Sequence, residues 1–244
     1  MRARWLALGA GCLLPAVGAA QTGPRSPAAH LPAARPVVVE LFTSQGCSSC
    51  PPADAIVADL ARTRPDLLPL TFHVTYWNSL GWRDPFSFAG ATERQRRYVA
   101  EAVSPDVYTP AMVVDGRRDV VGSDRSAVAA TLAQATADAT AAAPVEVVRA
   151  GNALSVTIGA GSGRGAVLVL GYDRQHQTSV GRGENGGRTL LEANIVRSMA
   201  VAGAWTGQTL HLDVAVPAGE EVAVLLQAET GQILGAARLA AGAP

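Results

Sequence analysis

Two cysteines three positions apart stand between a strand pattern and a helix pattern. Cys47 and Cys50 are separated by two serines. Residues 37–42 are β-branched or apolar apart from Glu40, which is typical of a strand buried on both faces. In residues 53–64 apolar side chains recur at a helical spacing. The motif therefore predicts a strand–loop–helix unit with the two sulfurs at the start of the helix.

The spacing of the two cysteines permits a small disulfide ring. In such a pair the first cysteine lies near the free N–H groups of the helix, which favour the thiolate. We therefore expect Cys47 to be the accessible nucleophile and Cys50 to be the shielded resolving thiol. Pro51 and Pro52 lack N–H groups and fit the first turn of a helix, so the helix is expected to begin near Cys50.

The N-terminus has the features of a secretory signal. Two arginines precede an apolar run over residues 5–17, and small residues follow. This predicts a signal peptide over residues 1–20 and a periplasmic or secreted protein, with lipidation of Cys12 as the alternative. Residues 21–35 are rich in Pro and Ala and predict a flexible leader. No other apolar run is long enough for a transmembrane segment, so none is expected after cleavage.

The remaining patterns divide the rest of the chain in two. Residues 36–143 predict strands, helices and a hairpin that turns at Asp115-Gly116. Residues 144–244 show short alternating segments between Gly, Asn and Pro turns, which predicts a small antiparallel β-sandwich. Between the cysteines and that boundary, we predict a strand over residues 70–77, a helix over 90–103, and strands over 111–115 and 118–121. Asp124 or Ser123 can cap a long Ala-rich helix that runs until Pro144.

The charge composition gives no reason to propose a nucleic-acid partner. The chain has 20 basic and 20 acidic residues and a formal net charge of zero. Nucleic-acid binding proteins usually carry a basic patch or a basic excess. We therefore expect no nucleic-acid partner.

Four motifs carry a resemblance to known proteins. The motifs are ELFTSQGCSSCPPAD at 40–54, YW at 76–77 with LGWRDPF at 80–86, YTPAMVVDG at 108–116, and GRGENGGRTL at 181–190. Residues 36–141 resemble the thioredoxin superfamily, and nearly the whole chain after the leader resembles an exported bacterial thioredoxin-like family of unknown function. The resemblance implies an α/β thioredoxin-like domain with a helical insertion, followed by the β-sandwich.

The same resemblance implies roles for three residues outside the cysteine pair. Pro110 is expected to follow a cis peptide bond and to lie opposite the cysteines. Thr109 would then offer backbone hydrogen bonds to an extended substrate. Glu40 would lie beneath the cysteines and take the proton of the resolving thiol. The alternative for Glu40 is a structural ion pair with an arginine.

Three further features have alternative interpretations. Trp77 and Trp82 could form an apolar lip for a substrate, or they could belong to the core. His73 could complete a Cu(I) site with both cysteines, although a lone strand histidine is more often structural. The loop over residues 181–188 could be a flexible turn, or it could fold back over the cysteine face.

The leading hypothesis is a periplasmic thiol–disulfide oxidoreductase or redox partner that needs no cofactor beyond its Cys47–Cys50 disulfide. Its partner would be a protein thiol or disulfide, or a small thiol. The alternative is a non-enzymatic binding protein in which the cysteines form a structural disulfide or a soft-metal site.

Overall fold

The structure is a computed structural model that describes Met1, residues 35–139 and residues 143–239. The predicted signal peptide and leader lie outside the described residues, apart from their first and last positions, and so does Cys12. All helices and strands described lie within one compact unit.

Three helices and eleven strands are formed by the described residues. They follow one another in the order β1 Val37–Thr43, α1 Pro51–Thr63, β2 Leu67–His73, α2 Ala89–Ala100, β3 Ala111–Val114, β4 Arg118–Val121, α3 Arg125–Asp138, β5 Val145–Ala150, β6 Ala153–Ile158, β7 Gly165–Ser179, β8 Thr189–Trp205, β9 Leu210–Ala215, β10 Glu221–Gln227 and β11 Ile233–Arg238.

The strands form two sheets. Eight strands build a mixed sheet in the order β11-β10-β7-β8-β2-β1-β3-β4, and three build a smaller sheet in the order β5-β6-β9. Strands β1 and β2 are parallel, β2 and β8 are parallel at Thr71 and Ile195, and β3 runs antiparallel to β1. The larger sheet therefore contains strands from both halves of the chain.

Strand β1 lies in the middle of this sheet and is buried along its whole length. Because side chains alternate along a strand, it serves two cores. Val38 and Phe42 pack in the core that contains Tyr98 of α2. Val39 and Leu41 pack on the other face, in the core built with α1 and α3. The parity of a position in β1 thus decides which helix its side chain meets.

The predicted fold class is wrong. The protein is mostly β, with a mixed sheet that continues from the first half into the second, rather than an α/β thioredoxin-like domain with a helical insertion followed by a separate β-sandwich. The pairing of β2 with β8 joins the two halves. Strands β7 and β8 have 15 and 17 residues, where the sequence pattern indicated shorter segments. Between β2 and β3 the chain forms turns and the single helix α2. The domain boundary at residues 143 and 144 stays a prediction.

Local elements were predicted better. The strand before the cysteines, the helix after them and the hairpin are confirmed. Asp115 and Gly116 turn the hairpin with positive φ values of 53° and 61°. Asp124 caps α3 and accepts hydrogen bonds from the N–H groups of Ser126 and Ala127. Local turn and cap chemistry was sufficient for these elements.

None of the helices in the described part of the chain is both long enough and apolar enough to cross a membrane.

Candidate functional site

The cysteine pair is a disulfide at the junction of β1 and α1. The two sulfurs are bonded, with 5.4 Å between the Cα atoms. Cys50 is the N-cap residue of α1, and its carbonyl accepts from the N–H groups of Ala53 and Asp54 at 2.8 and 3.1 Å. Pro51 occupies the first helical position, as the sequence predicted.

Both cysteines are fully buried. The exposed fraction is 0% for Cys47 and for Cys50, so the expectation that Cys47 is accessible is wrong. Ser48 and Ser49 between them are exposed, and Ser49 Oγ lies 3.3 Å from Cys47 Sγ. The motif therefore reaches the surface through its serines, while its sulfurs are covered.

A loop between β7 and β8 provides part of this cover. We call residues 180–188 the cover loop. Within it Asn185 is fully buried, and its side-chain amide donates to the carbonyls of Gln45 and Cys47 at 3.0 and 2.9 Å. Glu184 accepts from the backbone N–H of Ser48 at 2.9 Å, and hydrogen bonding to Ser48, first to its side chain and then to its backbone, lowers the pKa of Glu184. Of the two interpretations of this loop, the structure supports the one in which it folds back over the cysteines.

A second loop packs beside the cover loop. Trp82 lies against Gly181 and Gly183, and a Cβ added to Gly183 would lie 3.2 Å from the Trp82 Cβ. Trp82 Nε1 also donates to Gln45 Oε1 at 3.1 Å. The indole of Trp82 thus belongs to the cover as the structure has it. A substrate role for this residue stays a prediction.

Gln45, just before Cys47, connects the elements around the disulfide. Its backbone N–H donates to Asp84 at 2.8 Å, and its side-chain amide donates to Glu192 of β8 at 2.7 Å. Trp82 and Asn185 bind its two carbonyl oxygens. A single buried residue, through its backbone and its side chain, therefore holds both loops and β8 against the motif.

Under the motif lies a buried group that we call the acid–histidine cluster, formed by Asp54, His73, Asp84 and Glu192. His73 Nδ1 is 2.7 Å from Asp84 Oδ2, and His73 Nε2 is 3.7 Å from Glu192 Oε1. Asp54 accepts from Thr43 Oγ1 at 2.8 Å, and Thr43 is the register partner of His73 across β1 and β2. These contacts bring side chains from α1, β2, β8 and the loop before α2 together.

The cluster perturbs its own protonation. Burial and the nearby charge of Glu192 raise the pKa of Asp54 to about 8. Burial alone would lower the pKa of His73, but the charges of Asp84 and Glu192 raise it to about 9. Burial also raises the pKa of Glu192. The pKa of Asp84 is lowered despite its burial, because of the charge of His73 and its hydrogen bond. At neutral pH the cluster holds protons that isolated carboxyl groups would have lost.

Glu40 lies in a different cluster on the other face of β1. Arg94 Nε donates to Glu40 at 2.7 Å, and Tyr98 donates its hydroxyl hydrogen to the same carboxylate. The strand alternation explains this placement, because Glu40 shares the parity of Val38 and Phe42, which pack toward α2. The ion pair with an arginine, left open as the alternative, is the arrangement found. A catalytic role for Glu40 stays a prediction.

The peptide bond between Thr109 and Pro110 is cis, as predicted. Trp77 Nε1 donates to Thr109 Oγ1 at 2.8 Å. A Cβ added to Gly46 would lie 3.2 Å from the Trp77 Cβ, so Trp77 lies between Thr109 and the cysteine motif. The substrate-binding roles of Thr109 and Trp77, and the groove role of Pro110, stay predictions.

Across residues 35–139 and 143–239, no group of three or more His, Cys, Asp or Glu side chains is arranged to hold a metal ion. His73 uses one ring nitrogen on Asp84, and both sulfurs are in the disulfide. The arrangement gives no support to a Cu(I) site formed by His73 and the cysteines.

Sequence reasoning missed the side chains that surround the disulfide. Asp54 and Gln45 stood inside the first motif, Asp84 inside the second and Asn185 inside the fourth, but none was assigned a role. One signal was available. Thr43 has the parity in β1 that faces α1, so a polar partner for it on that helix could have been sought.

Comparisons with known proteins give a family and a fold. Residues 38–227 match the family described as protein of unknown function (DUF1223). The X-ray crystal structure of protein AGR_C_4864 from Agrobacterium tumefaciens is 32% identical, with a TM-score of 0.72 over 83% of this chain and 93% of that one. HBP35 of Porphyromonas gingivalis is 15% identical, with a TM-score of 0.56 over 84% of this chain and 74% of that one, a likeness of fold alone. No curated protein matches the sequence.

Proposed function

The chain belongs to the DUF1223 family, and we propose that it carries out thiol–disulfide exchange through Cys47 and Cys50 outside the cytoplasm. One observation carries this proposal. The two sulfurs are buried in a motif whose backbone is bound by Asn185 of the cover loop, and Asp54, four residues after Cys50, belongs to a buried cluster with three unpartnered atoms. A purely structural disulfide needs neither feature.

The exchange begins at Cys47. A thiolate of the partner attacks Cys47 Sγ, the S–S bond breaks, and its electron pair leaves on Cys50 Sγ. In the reverse direction the thiolate of Cys47 attacks the partner's disulfide, and Cys50 then attacks the mixed disulfide and releases the partner as a thiol. The hydroxyl of Ser49, 3.3 Å from Cys47 Sγ, is placed to donate to that thiolate.

The cover must move for this chemistry. Cys47 is fully buried, so a partner sulfur cannot reach it until Asn185 and Glu184 release the backbone of the motif. Those contacts are three hydrogen bonds, of which the two from the buried Asn185 have a net value of about 1 kcal/mol each, and thermal opening can break them. A protein thiol or disulfide, or a small thiol, that inserts beside Ser48 would occupy the opened site.

Trapping of a mixed disulfide tests the proposal. In a Cys50→Ser variant the resolving thiol is absent, so Cys47 should accumulate mixed disulfides by attacking protein disulfides or glutathione disulfide, each time releasing one thiol. The matched control is Cys47→Ser, which should trap far less because it lacks the attacking sulfur. Equal trapping by both variants, or by neither, would count against the proposed exchange.

A structural disulfide in a binding protein is the second candidate. The zero exposure of both sulfurs favours it. In that case neither sulfur of the native protein should react with a small reductant or an alkylating reagent until denaturant is added. Reaction of the native protein with dithiothreitol supports the exchange function.

A further inference from the structure

The cover loop inserts one side chain, that of Asn185, into the cysteine motif. Its neighbours over residues 181–184 and 186–189 are all exposed, whereas Asn185 is fully buried. Four of the eight residues over 181–188 are glycines, so the loop has few other side chains with which to hold the motif. Asn185 is therefore placed like a ligand that is tethered to the protein at both ends.

The carboxamide group of Asn185 is bound through its nitrogen and through its oxygen. Nδ2 donates to the carbonyls of Gln45 and Cys47 at 3.0 and 2.9 Å. Oδ1 accepts from Arg188 Nη1 at 2.8 Å. Carbonyls only accept and a guanidinium only donates, so these partners fix which end of the group is the nitrogen. We call the two carbonyls and the guanidinium the carboxamide site.

The carbonyls of this site belong to a stretch of backbone that other contacts hold in place. The N–H of Cys47 donates to the carbonyl of Ser44 at 3.1 Å. The N–H of Gln45 donates to the buried carboxyl group of Asp84 at 2.8 Å. Neither hydrogen bond involves the cover loop. The two carbonyls would therefore keep their positions if the loop moved away.

Arg188, the third member of the site, lies at the base of the cover loop. Its carbonyl accepts from the N–H of Val180 at 2.9 Å, and the carbonyl of Val180 accepts from the N–H of Gly187 at 2.8 Å. These two hydrogen bonds close the loop between the end of β7 and the start of β8. A movement of residues 181–186 would therefore withdraw Asn185 and leave the base, with Arg188, where it is.

The three groups of the site select for one kind of ligand group. A primary carboxamide has two N–H hydrogens, one for each carbonyl, and an oxygen for the guanidinium. A carboxylate would set an oxygen against two carbonyl oxygens. An ammonium group would set a positive charge beside Arg188 and would offer its guanidinium no acceptor, and a hydroxyl has one hydrogen for two carbonyls. Among protein side chains, Asn and Gln alone match the site.

We propose that the carboxamide site recognises the partner in thiol–disulfide exchange, and that this partner is a polypeptide that inserts an Asn or Gln side chain in place of Asn185. Cys47 carries the sulfur that the partner must reach, and its carbonyl is part of the site. A carboxamide bound there holds the partner beside its target. The role in exchange rests on the function proposed above, whereas the binding of a carboxamide does not.

Acetamide tests the site itself. Asn185→Ala removes the carboxamide and leaves space for one, and acetamide carries the missing group. Because a ligand of the folded state stabilises it, acetamide should produce a saturable rise in the Tm of this variant that the parent does not show. Asn185→Asp is the matched control, since its carboxylate still fills the site, and acetamide should not raise its Tm.

Two further small molecules test the selectivity of the site. Sodium acetate and methylammonium chloride would be compared with acetamide at equal concentration and ionic strength. Each should raise the Tm of Asn185→Ala less than acetamide does. Equal shifts for parent and variant, or a shift with methylammonium as large as that with acetamide, would overturn the assignment of a carboxamide site.

Peptide thiols test the role in exchange, and the parent protein serves, so no variant has to fold. Three series of short peptides would carry one cysteine and, one to four positions from it, Asn, Asp or Ala. Rates of reduction would be divided by those with a small linear disulfide, which corrects for the reactivity of each thiol. The best Asn peptide should be on the order of tenfold faster than its Asp and Ala counterparts.

The exchange in this test consumes two peptide thiols. The thiolate of the first attacks Cys47 Sγ, a mixed disulfide forms, and the electron pair of the broken bond leaves on Cys50 Sγ, which takes a proton from water. The thiolate of the second attacks the peptide sulfur of the mixed disulfide. Cys47 then leaves as a thiolate and is protonated, and the two peptides are oxidised to a disulfide dimer.

Two arginine variants locate the preference for Asn peptides. Arg188→Met removes the donor to the carboxamide oxygen and should reduce the preference. Arg182→Ala removes an exposed arginine from the same loop and should keep it. Equal rates for the three peptide series, or an unchanged preference in Arg188→Met, would overturn the recognition role and leave the exchange function in place.

Failure of the exchange function has a different signature. If no thiol reduces the native disulfide until denaturant is added, the exchange function and the recognition role are both wrong. The acetamide titration still decides whether the site binds a carboxamide, because it measures the stability of the oxidised protein and needs no exchange.

Discussion

Two buried charged clusters lie on opposite faces of β1, and they differ in how completely their charged groups are paired. On the α2 face, Arg94 donates to Glu40, to Gln227 and to Tyr98, and the last two also bind each other. On the α1 face, the acid–histidine cluster sets three carboxyl groups against one imidazole. The first cluster is fully paired. The second has three unpartnered atoms.

The difference indicates where chemistry can take place. A closed network of hydrogen bonds holds its charges in one state and ties α2 to β1 and β10. A buried network with more carboxyl groups than cations changes its protonation readily, because no protonation state gives every group a hydrogen-bond or ion-pair partner. The disulfide lies at the start of α1, beside the unbalanced cluster. We therefore expect the Glu40 cluster to contribute mainly to stability and the acid–histidine cluster to respond to changes of pH.

The largest change in the free energy of unfolding is expected from breaking the ion pair between Arg94 and Glu40. Arg94→Met would leave the Glu40 carboxylate buried without its counter-ion, which should lower the free energy of unfolding by about 3–5 kcal/mol. Urea unfolding measures this value. Adding Glu40→Gln to the same chain removes the stranded charge and should recover part of the loss. A loss below about 1 kcal/mol for Arg94→Met would contradict the structural role.

In the acid–histidine cluster, removing a charged group is expected to raise the free energy of unfolding. The pKa of Asp54 is raised from its ordinary value of 3.8 to about 8 in the folded protein, so folding loses stability as the pH rises from about 4 to 8. Asp54→Asn removes this loss and should be more stable than the parent at pH 8 by at least about 1 kcal/mol, with little gain at pH 4. Thermal unfolding at both pH values checks the prediction. A variant less stable than the parent at pH 8 would show that the Asp54 carboxylate is stabilised by its neighbours in the folded protein, which would contradict this account.

His73 gives the cluster a second pH dependence. Its pKa is raised from 6.5 to about 9 in the folded protein, so its contribution to stability is complete below about pH 6.5 and is lost as the pH rises through about 9. His73→Gln should remove this part of the alkaline loss, so the unfolding free energies of parent and variant should converge above pH 9. Parallel curves across that range would contradict the assignment.

A smaller effect is expected at the cover loop. Asn185→Ala removes two hydrogen bonds to the motif, so the cover should open more often and dithiothreitol should reduce the disulfide on the order of tenfold faster. Glu184→Gln weakens one exposed contact and should accelerate reduction less. Arg182→Ala in the same loop serves as the control. Equal rates for all three variants would mean that the cover does not limit access.

The sequence was sufficient for elements whose chemistry is local. Strand β1, helix α1, the Asp115-Gly116 hairpin and the Asp124 cap depend on neighbouring residues, and all were predicted. The pairing of β2 with β8 was not, because it joins Thr71 and Ile195 across more than a hundred residues. Period-two patterns reveal a strand but not its partner. The fold class was wrong for this reason.

The site was predicted in part for the same physical reason. The cysteine pair and the cis bond before Pro110 were recognised from short motifs. The cover and the acid–histidine cluster depend on Asn185 and Glu192, which reach the motif only through the β7–β8 hairpin. Strand parity, which directs Glu40 toward α2, was not used in placing this residue, and its catalytic role stays a prediction.

The reduction potential of the Cys47–Cys50 pair tests the central claim most directly. The native protein would be equilibrated with dithiothreitol or glutathione buffers of stepped potential, and the fraction of reduced cysteine would be measured after alkylation. Thiol–disulfide exchange predicts a potential between about −120 and −270 mV, the range of working redox proteins. A potential below about −300 mV, typical of structural disulfides, would contradict it.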